Sequence, residues 1–529
     1  MKTPRYLWAS FLLLLGLAAV SRGADASDQA AAAILTPPPA ATPRINGPTV
    51  FGVRPGSPFL YTIPATGDRP MEFGVQGLPN GLAVDAATGR ITGVLTQPGE
   101  FPVVLTAKNA RGTAEKKFRI VVGEAISLTP AMGWNSWNCW AGAVDQEKVL
   151  RSAHALVASG LANHGWTYIN IDDTWQGKRT GKDGALQGNE KFPDMKGLCD
   201  AIHGLGLKAG IYSTPWVTSY AKFPGGSSDN ADGAWSADLK AVEKARRFGR
   251  YSFAQADANQ WAAWGFDYLK YDWNPNDVPH TAEMSSALRH SGRDLVFSLS
   301  NAAPFAHAAD WARLANSWRT TSDVWEKWQM DAKFWQYGVS EIGFSQDRWA
   351  PYGAPGHWND PDMLVVGYVG WGNLHPTGLT PDEQYSHISL WCMLSAPLLI
   401  GCDLERLDPF TLNLLSNDEV LAIDQDALGR PATRVATFGP VDVYMKDLED
   451  GSKALGFFNR DSVTQTISFN KLHFLGFNAR QHVRDLWRQK DLPDLAAPFD
   501  PDVGGPLVEP LKMTIPAHGV MLYKLSPAE

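Results

Sequence analysis

Cysteine is scarce: 529 residues hold four, Cys139, Cys199, Cys392 and Cys402. None forms a Cys-x-x-Cys pair, which argues against zinc-ribbon and thioredoxin-type chemistry and leaves one or two disulfides or buried thiols. Charge is also thin. Asp, Glu, Lys and Arg make up 19% of the chain, and the net charge is −8 with no basic run to offset it. A nucleic-acid partner or an anionic membrane surface is therefore not expected. Asn-x-Ser/Thr sequons are missing. So are a Gly-rich phosphate loop, a Ser-His-acid order and a His/Cys metal cluster, and neither a cofactor nor a metal is expected. Beyond the N-terminal stretch, no apolar run is long enough to span a bilayer.

What is present divides the chain. Lys2 and Arg5 precede the apolar run LWASFLLLLGLAAV and the small residues of SRGADAS, the pattern of a cleaved signal peptide over residues 1–25. Secretion or a periplasmic location follows as an expectation, with no membrane partner once the signal is removed. Residues 26–44 are Ala/Pro-rich and read as a linker. Over 45–123, Phe101, Val103, Leu105 and Ala107 alternate, as do Phe118, Ile120 and Val122, with turn signals such as DAATGR between runs. This is the pattern of a small β-sandwich. From 128 to 430, apolar strands (WTYINID, LKAGIYS, DYLKYD, DLVFSLS) alternate with helical stretches such as EKVLRSAHALVASGL. The expected class is α/β, a (β/α)8 TIM barrel. Periodicity alone does not separate a barrel from a doubly wound sheet. From 431 to 529 the pattern returns to strands, for a C-terminal antiparallel β-domain.

Barrel enzymes carry their chemistry at the C-terminal ends of the strands. Here those ends supply Trp134 and Trp137; Asp172, Asp173 and Trp175; Tyr212; Lys270 and Asp272; Ser300 and Asn301; Arg319 and Asp323; and Trp358, Asp360 and Asp362. Any single Asp is more often an N-cap or turn residue. Several together, with indoles that suit the C–H faces of sugars, point to carbohydrate chemistry and a carbohydrate substrate. The 21 tryptophans crowd this same middle region, though many must be core residues.

The motifs MGWNSWN, YINIDDTW, GIYS, YLKYDWN, NSWRTTSD, WNDPDML, SAPLLIG and AIDQDALG together resemble glycoside hydrolase family 27, which holds α-galactosidases and α-N-acetylgalactosaminidases. The N-terminal GLPNGLAVDAATGRITG resembles the immunoglobulin-like modules of exported bacterial proteins. The resemblance implies a retaining exo-glycosidase acting by double displacement on terminal α-galactosyl residues. Asp272 would be the nucleophile and Asp323 the acid/base, about 5–5.5 Å apart. Asp172 and Asp173 would hold the 4- and 6-hydroxyls, and Trp137 would wall the pocket. Tyr212 and Lys270 would line it, Arg319 would reach the hydroxyl at C2 or C3, and Asp362 would lie near the acid/base. Lys270 beside Asp272 would favour its ionised form. Partial burial and a charged neighbour would raise the pKa of Asp323.

Three departures from the family pattern stand out. The loop after the fifth strand reads SLSNAAPF where relatives carry Cys-Glu-Trp, so Ser300 or Asn301, according to alignment, takes the place of a Glu that binds the 2-hydroxyl. The small residues there make α-N-acetylgalactosamine an alternative sugar, beside β-L-arabinopyranose and an isomaltose-type unit. A non-catalytic carbohydrate-binding barrel is the reading from another class. The disulfide that relatives form between this loop and the residue after the nucleophile has lost both partners, with Trp273 and Asn274 following Asp272. Finally, the segment from Tyr212 to Asp257 is long, with a charged helical pattern in AVEKARRFGR, and lies where it can shape the leaving-group side. Oligomeric state is not legible.

Overall fold

A computed structural model describes residues 34–235, 245–330, 336–469, 475–477, 479–496 and 510–528. The signal-peptide stretch, the first part of the linker and the first four residues of AVEKARRFGR lie outside these residues; of its remainder only Ala245 is helical, and 246–250 form bends and a bridge at Phe248, so the expected helix does not extend through them.

Eight parallel strands form the central sheet: β1 (Met132–Asn135), β2 (Tyr168–Asn170), β3 (Lys208–Ser213), β4 (Tyr268–Asp272), β5 (Val296–Ser300), β6 (Ser317–Arg319), β7 (Trp358–Asp360) and β8 (Leu398–Ile400). Neighbours in sequence are neighbours in the sheet, and β8 returns to pair with β1. Closure between β7 and β8 comes one turn late. Leu364, past the end of β7, bridges Ile400 in parallel and exchanges backbone bonds with Leu399 and Gly401. The sheet is thus a (β/α)8 barrel, which periodicity left undecided. Its strands read as apolar runs because both faces are covered: all of β5, VFSLS, is buried.

Helices pack outside. Gln146–Ala158 starts at Asp145, whose side chain accepts from Lys148 N, and turns Val149, Ala153 and Leu156 inward. Pro381–Met393 opens with a Thr380/Glu383 capping box and a proline in its first turn. It is buried from Glu383 onward because the barrel covers one side and the C-terminal domain the other.

The C-terminal domain is a six-stranded antiparallel sheet (Thr433–Phe438, Val441–Asp447, Lys453–Asn459, Val520–Pro527, Gln481–Asp485, Lys490–Leu495 in spatial order). A second pair, Gln465–Phe469 with Leu511–Ile515, faces it over Val443, Leu455, Phe457 and Ile515. In the N-terminal module, a four-stranded and a three-stranded sheet enclose Phe59, Ile91, Leu105, Phe118 and Ile120. The alternation Val103-Leu105-Ala107 points inward as expected.

The module does not dangle. Arg54 N donates to Asp294 Oδ2 at 2.9 Å, Thr62 Oγ1 to Gly206 O at 2.8 Å, and Arg90 Nη1 to His203 O at 3.0 Å. The Lys208 ammonium lies 4.4 Å from the centre of the Phe51 ring. These barrel residues all precede or open strands, so the module caps the N-terminal end, opposite the strand ends that carry the candidate site. Of the described linker residues, Thr36 is buried, with Asn417 Nδ2 on its hydroxyl at 2.9 Å and Asn413 Nδ2 on its carbonyl at 2.8 Å.

Asp267, just before β4, gathers the same end of the barrel. It accepts from Arg293 Nη2 at 2.6 Å and Ala209 N at 3.0 Å, and pairs with His203 Nε2 at 2.8 Å. Burial alone would raise its pKa, but His203 and Arg293 outweigh burial and hold it below the ordinary value. Its contribution is therefore complete above the unfolded value of about 3.9 and lost as pH falls through the folded one. Asp267→Ala should lower stability near neutral pH by about 3–5 kcal/mol, read from denaturant unfolding, because it strands buried cationic partners.

Candidate active site

A cavity of about 1100 Å³ opens at the C-terminal ends of the strands, and the eleven residues given site roles from the sequence line it, whereas the strand-end residues Trp134, Trp175, Trp358 and Asp360 are buried and do not. Trp137, Asp172, Asp173, Tyr212, Lys270, Asp272, Ser300, Asn301, Arg319, Asp323 and Asp362 come from the ends of seven strands or the loops just after them.

At β1, Asn135 Oδ1 accepts from Trp137 N at 2.9 Å, a turn that swings the indole to the wall. At β2, Asp172 Oδ2 takes the Lys270 ammonium at 2.8 Å, and its Oδ1 takes Asp173 N at 2.8 Å. The sequence expectation placed Lys270 as the counter-ion of Asp272; its direct partner is Asp172. Lys270 and Asp272 do share a face, as residues two apart on a strand should. The spacing fixes the face, not the partner. Burial works against the Lys270 charge, but Asp172 and Asp272 together outweigh it and hold the ammonium above its ordinary pKa.

Asp272 is 7% exposed. Tyr212 Oη donates to its Oδ2 at 3.0 Å, and Asn301 Nδ2 donates to its Oδ1. Burial and the charges of Asp172 and Asp323, opposed by Lys270 and the Tyr212 hydroxyl, together leave the carboxyl pushed up to about 7. Lys270 thus opposes the loss of ionisation, as expected, without overcoming burial. Asn301 reaches Asp272 from a left-handed backbone, φ 69°, which Asn adopts more readily than most residues. Ser300 is buried beneath it at the end of β5.

Asp323 lies four residues beyond β6, in a short bridge with Gln336–Tyr337 rather than on the barrel strand itself. Its side chain is 42% exposed, so the burial expected for it is modest. Arg319 Nη2 donates to Asp323 Oδ1 at 3.1 Å, while Arg319 Nη1 meets Asp362 Oδ1 at 2.7 Å. Asp362 Oδ2 accepts from Val324 N at 2.8 Å, so Asp362 braces the segment that carries Asp323. Burial raises Asp362 and lifts Asp360 to about 6, with Arg319 opposing both.

Asp173 departs from its sequence expectation. A carboxylate accepts about four hydrogen bonds. Asp173 Oδ1 already takes Thr174 N at 2.7 Å and Gln176 Nε2 at 2.9 Å, and Oδ2 takes Ala221 N at 2.9 Å. The Ser219 side chain also bonds to it. Asp173 borders the cavity but is engaged with its own loop and with the insertion. Asp172 and Lys270 present the freer polar atoms.

The sulfur chemistry is settled: all four cysteines are buried and unpaired. Where relatives join the β4 and β5 loops covalently, Asn274 Nδ2 donates to Asn301 O at 3.4 Å, a non-covalent tie between the same two loops. Trp273 is fully buried edge-on to Tyr271, with its indole N–H on Asp277 at 3.2 Å.

Sequence reasoning missed the outer wall. Trp216, Tyr220 and Arg246 come from the insertion, and Trp325, Glu326, Trp371 and His375 from loops after β6 and β7. The described part of the insertion is folded back on itself, with bridges Trp216–Phe248 and Thr218–Pro224. The length and place of the insertion marked it in the sequence as able to shape the leaving-group side, but not which of its residues line the cavity, because aromatics mark cores equally well.

Paired carboxylates, one deep and one near the mouth, with indole walls at the C-terminal end of a (β/α)8 barrel, define a glycoside hydrolase. A family model described as Alpha galactosidase A matches residues 129–241 and 233–426. A second, Alpha galactosidase C-terminal beta sandwich domain, matches 438–525, and an Ig-domain model matches 41–123. Alpha-galactosidase A of Cellvibrio japonicus is 34% identical over 419 residues, spanning 76% of this chain and 93% of that protein. Alpha-galactosidase 2 of Arabidopsis thaliana is 36% identical over 378 residues, 70% of this chain and 85% of that one. A solved Bacteroides fragilis structure aligns with a TM-score of 0.81 at 33% identity, covering 92% of this chain and 98% of its own. The chain belongs to glycoside hydrolase family 27.

Arg319 is the cation that lets Asp360 and Asp362 coexist in burial. Arg319→Met should cost about 3–5 kcal/mol of stability at neutral pH. Without the guanidinium both carboxyls rise further above their unfolded values, so the deficit should shrink as pH falls towards 5. Denaturation midpoints across pH 5–8 check the sign.

Proposed function

We propose that the protein is an exported retaining exo-glycosidase that removes terminal α-D-galactosyl residues by double displacement. The supporting observation is the different setting of two carboxylates in one cavity. Asp272 is deep and oriented by donors on both oxygens, as an attacking group must be. Asp323 is half-exposed beside Arg319, where a leaving group can reach it. Asp272 attacks the anomeric carbon while Asp323 protonates the departing oxygen. Water, deprotonated by Asp323, then releases the sugar with its configuration retained. Asp172 and Lys270 offer an acceptor and a donor for ring hydroxyls on one side. Both curated relatives described above are α-galactosidases, which favours galactose. Asn301 commits its Nδ2 to Asp272, which leaves its amide oxygen to accept from a free hydroxyl at C2. The export reading rests on the N-terminal sequence pattern.

Nitrophenyl α-galactoside should be hydrolysed, with α-galactose as the first product seen by NMR. Turnover of the N-acetylgalactosaminide alone would reject the sugar, and β-galactose as first product would reject the mechanism. Asp323→Asn should lower turnover by about 10²–10⁴-fold. Because kcat/KM reports the free enzyme, its acidic limb should fall off near the value of about 7 set for Asp272. Asn301→Ala removes a donor to the ionised form and should move that limb to higher pH.

A further inference from the structure

The cavity, about 1100 Å³, is at the top of the range of roughly 300–1,000 Å³ usual for small-molecule sites, and one terminal sugar leaves its outer wall unused. Three features of that wall lack an explanation in the chemistry above.

Trp325 and Trp371 stack, ring centres 4.4 Å apart and planes 29° apart, and both are half-buried at the cavity. Trp371 holds φ 50°, a left-handed backbone that a bulky residue adopts at a cost. The backbone N–H groups of Gly370 and Trp371 both donate to Asn138 O, at 3.0 and 2.9 Å, and fix it there.

Glu326 is 8% exposed, lines the cavity, and has an Oε2 with no hydrogen-bond partner among the described residues. Its Oε1 lies 3.6 Å from His375 Nε2. A buried acceptor left unpaired is costly unless a ligand satisfies it.

Arg246, from the insertion, faces the same cavity and has no carboxylate partner among the described residues. Its guanidinium lies 4.9 Å over the Tyr220 ring, Nη2 donates to Tyr220 O at 3.0 Å, and its buried Nε is unpaired. Asp173 ties this insertion down through Ala221 N.

We propose that Trp325, Trp371, Glu326 and Arg246 form a leaving-group subsite for a second, neutral sugar unit of an α-linked oligosaccharide, with Asp173 positioning the insertion beside it. The proposal rests on the glycosidase reading. Its chemistry is specific. An indole face suits the C–H face of a pyranose. Glu326 offers only an acceptor and Arg246 only donors, and a hydroxyl satisfies either. An anionic unit would meet Glu326, and a cationic one would meet Arg246, so neutral sugar fits both.

The test compares kcat/KM for melibiose with that for α-galactosyl fluoride, whose leaving group is too small to occupy the subsite. Trp371→Ala and Arg246→Met should each lower the melibiose-to-fluoride ratio about tenfold, the size of one good contact, chiefly through KM for melibiose. Trp371→Phe keeps a stacking face and should hold the ratio within about threefold of the parent. Thermal midpoints establish that the variants are folded. A ratio within twofold of the parent in both Trp371→Ala and Arg246→Met overturns the subsite while leaving the glycosidase reading intact. Equal loss in Trp371→Ala and Trp371→Phe makes the residue a packing element and also overturns it. Failure of the parent to release galactose from either substrate overturns both readings.

Discussion

Crowding of like charge is the constraint on which this site depends. Asp172, Asp173, Asp272, Asp323 and Asp362 line one cavity and Asp360 is buried within reach of Arg319, against the cations Lys270 and Arg319, with Arg246 on the outer wall. Two cations do not neutralise six carboxylates, and burial raises the cost of each uncompensated charge. The structure distributes the load unevenly. Asp172 takes Lys270 directly, and Asp323 and Asp362 share the Arg319 fork. Asp173 is stabilised by neutral donors from its loop and the insertion. Burial still raises Asp173 and Asp362 above their ordinary values and lifts Asp272 to about 7 and Asp360 to about 6. The ionisation of Asp272, the proposed nucleophile, is thus opposed by burial and by its carboxylate neighbours. Lys270 first, and then the Tyr212 hydroxyl, oppose that rise.

Much of this was legible because strand ends are short and positionally strict. A polar residue closing an apolar run such as YLKYD must face the barrel mouth, and the eleven candidates do line one cavity. Partner choice was not legible. Lys270 lies two residues from Asp272 in sequence, but β2 runs beside β3 and β3 beside β4, and the curvature of the barrel brings Asp172 to the ammonium. Nor was barrel closure, which depends on Leu364 just outside β7. The saturation of Asp173 could not be read either, because its donors come from residues 219–221, a segment whose path is set by tertiary contact.

The three units place function by exclusion of space. The N-terminal module occupies the barrel end where strands begin, so it neither narrows nor widens the cavity. Asp267 and Asp294 are spent on that contact and its support. The C-terminal sheet presses on the helix Pro381–Met393, where Lys446 is buried among backbone carbonyls and the Ser395 hydroxyl. Both contacts act on the scaffold. What remains free to vary at the mouth is the loops, and in this chain the loop after β3 has grown.

That growth explains why an aspartate at a sugar-facing strand end is turned to a protein partner. A loop laid over a cavity must be held by something buried at its base, or its entropy defeats it. Asp173 is the nearest strong acceptor, rigid at the end of β2, and Ala221 N and Ser219 reach it. Charge-assisted bonds of this kind are among the stronger available. Once Asp173 is committed, Asp172 and Lys270 are left to face the cavity on that side, and Tyr220 and Arg246 line its outer wall. An aspartate read from sequence as a sugar ligand is, in this fold, bonded to the segment that carries that wall.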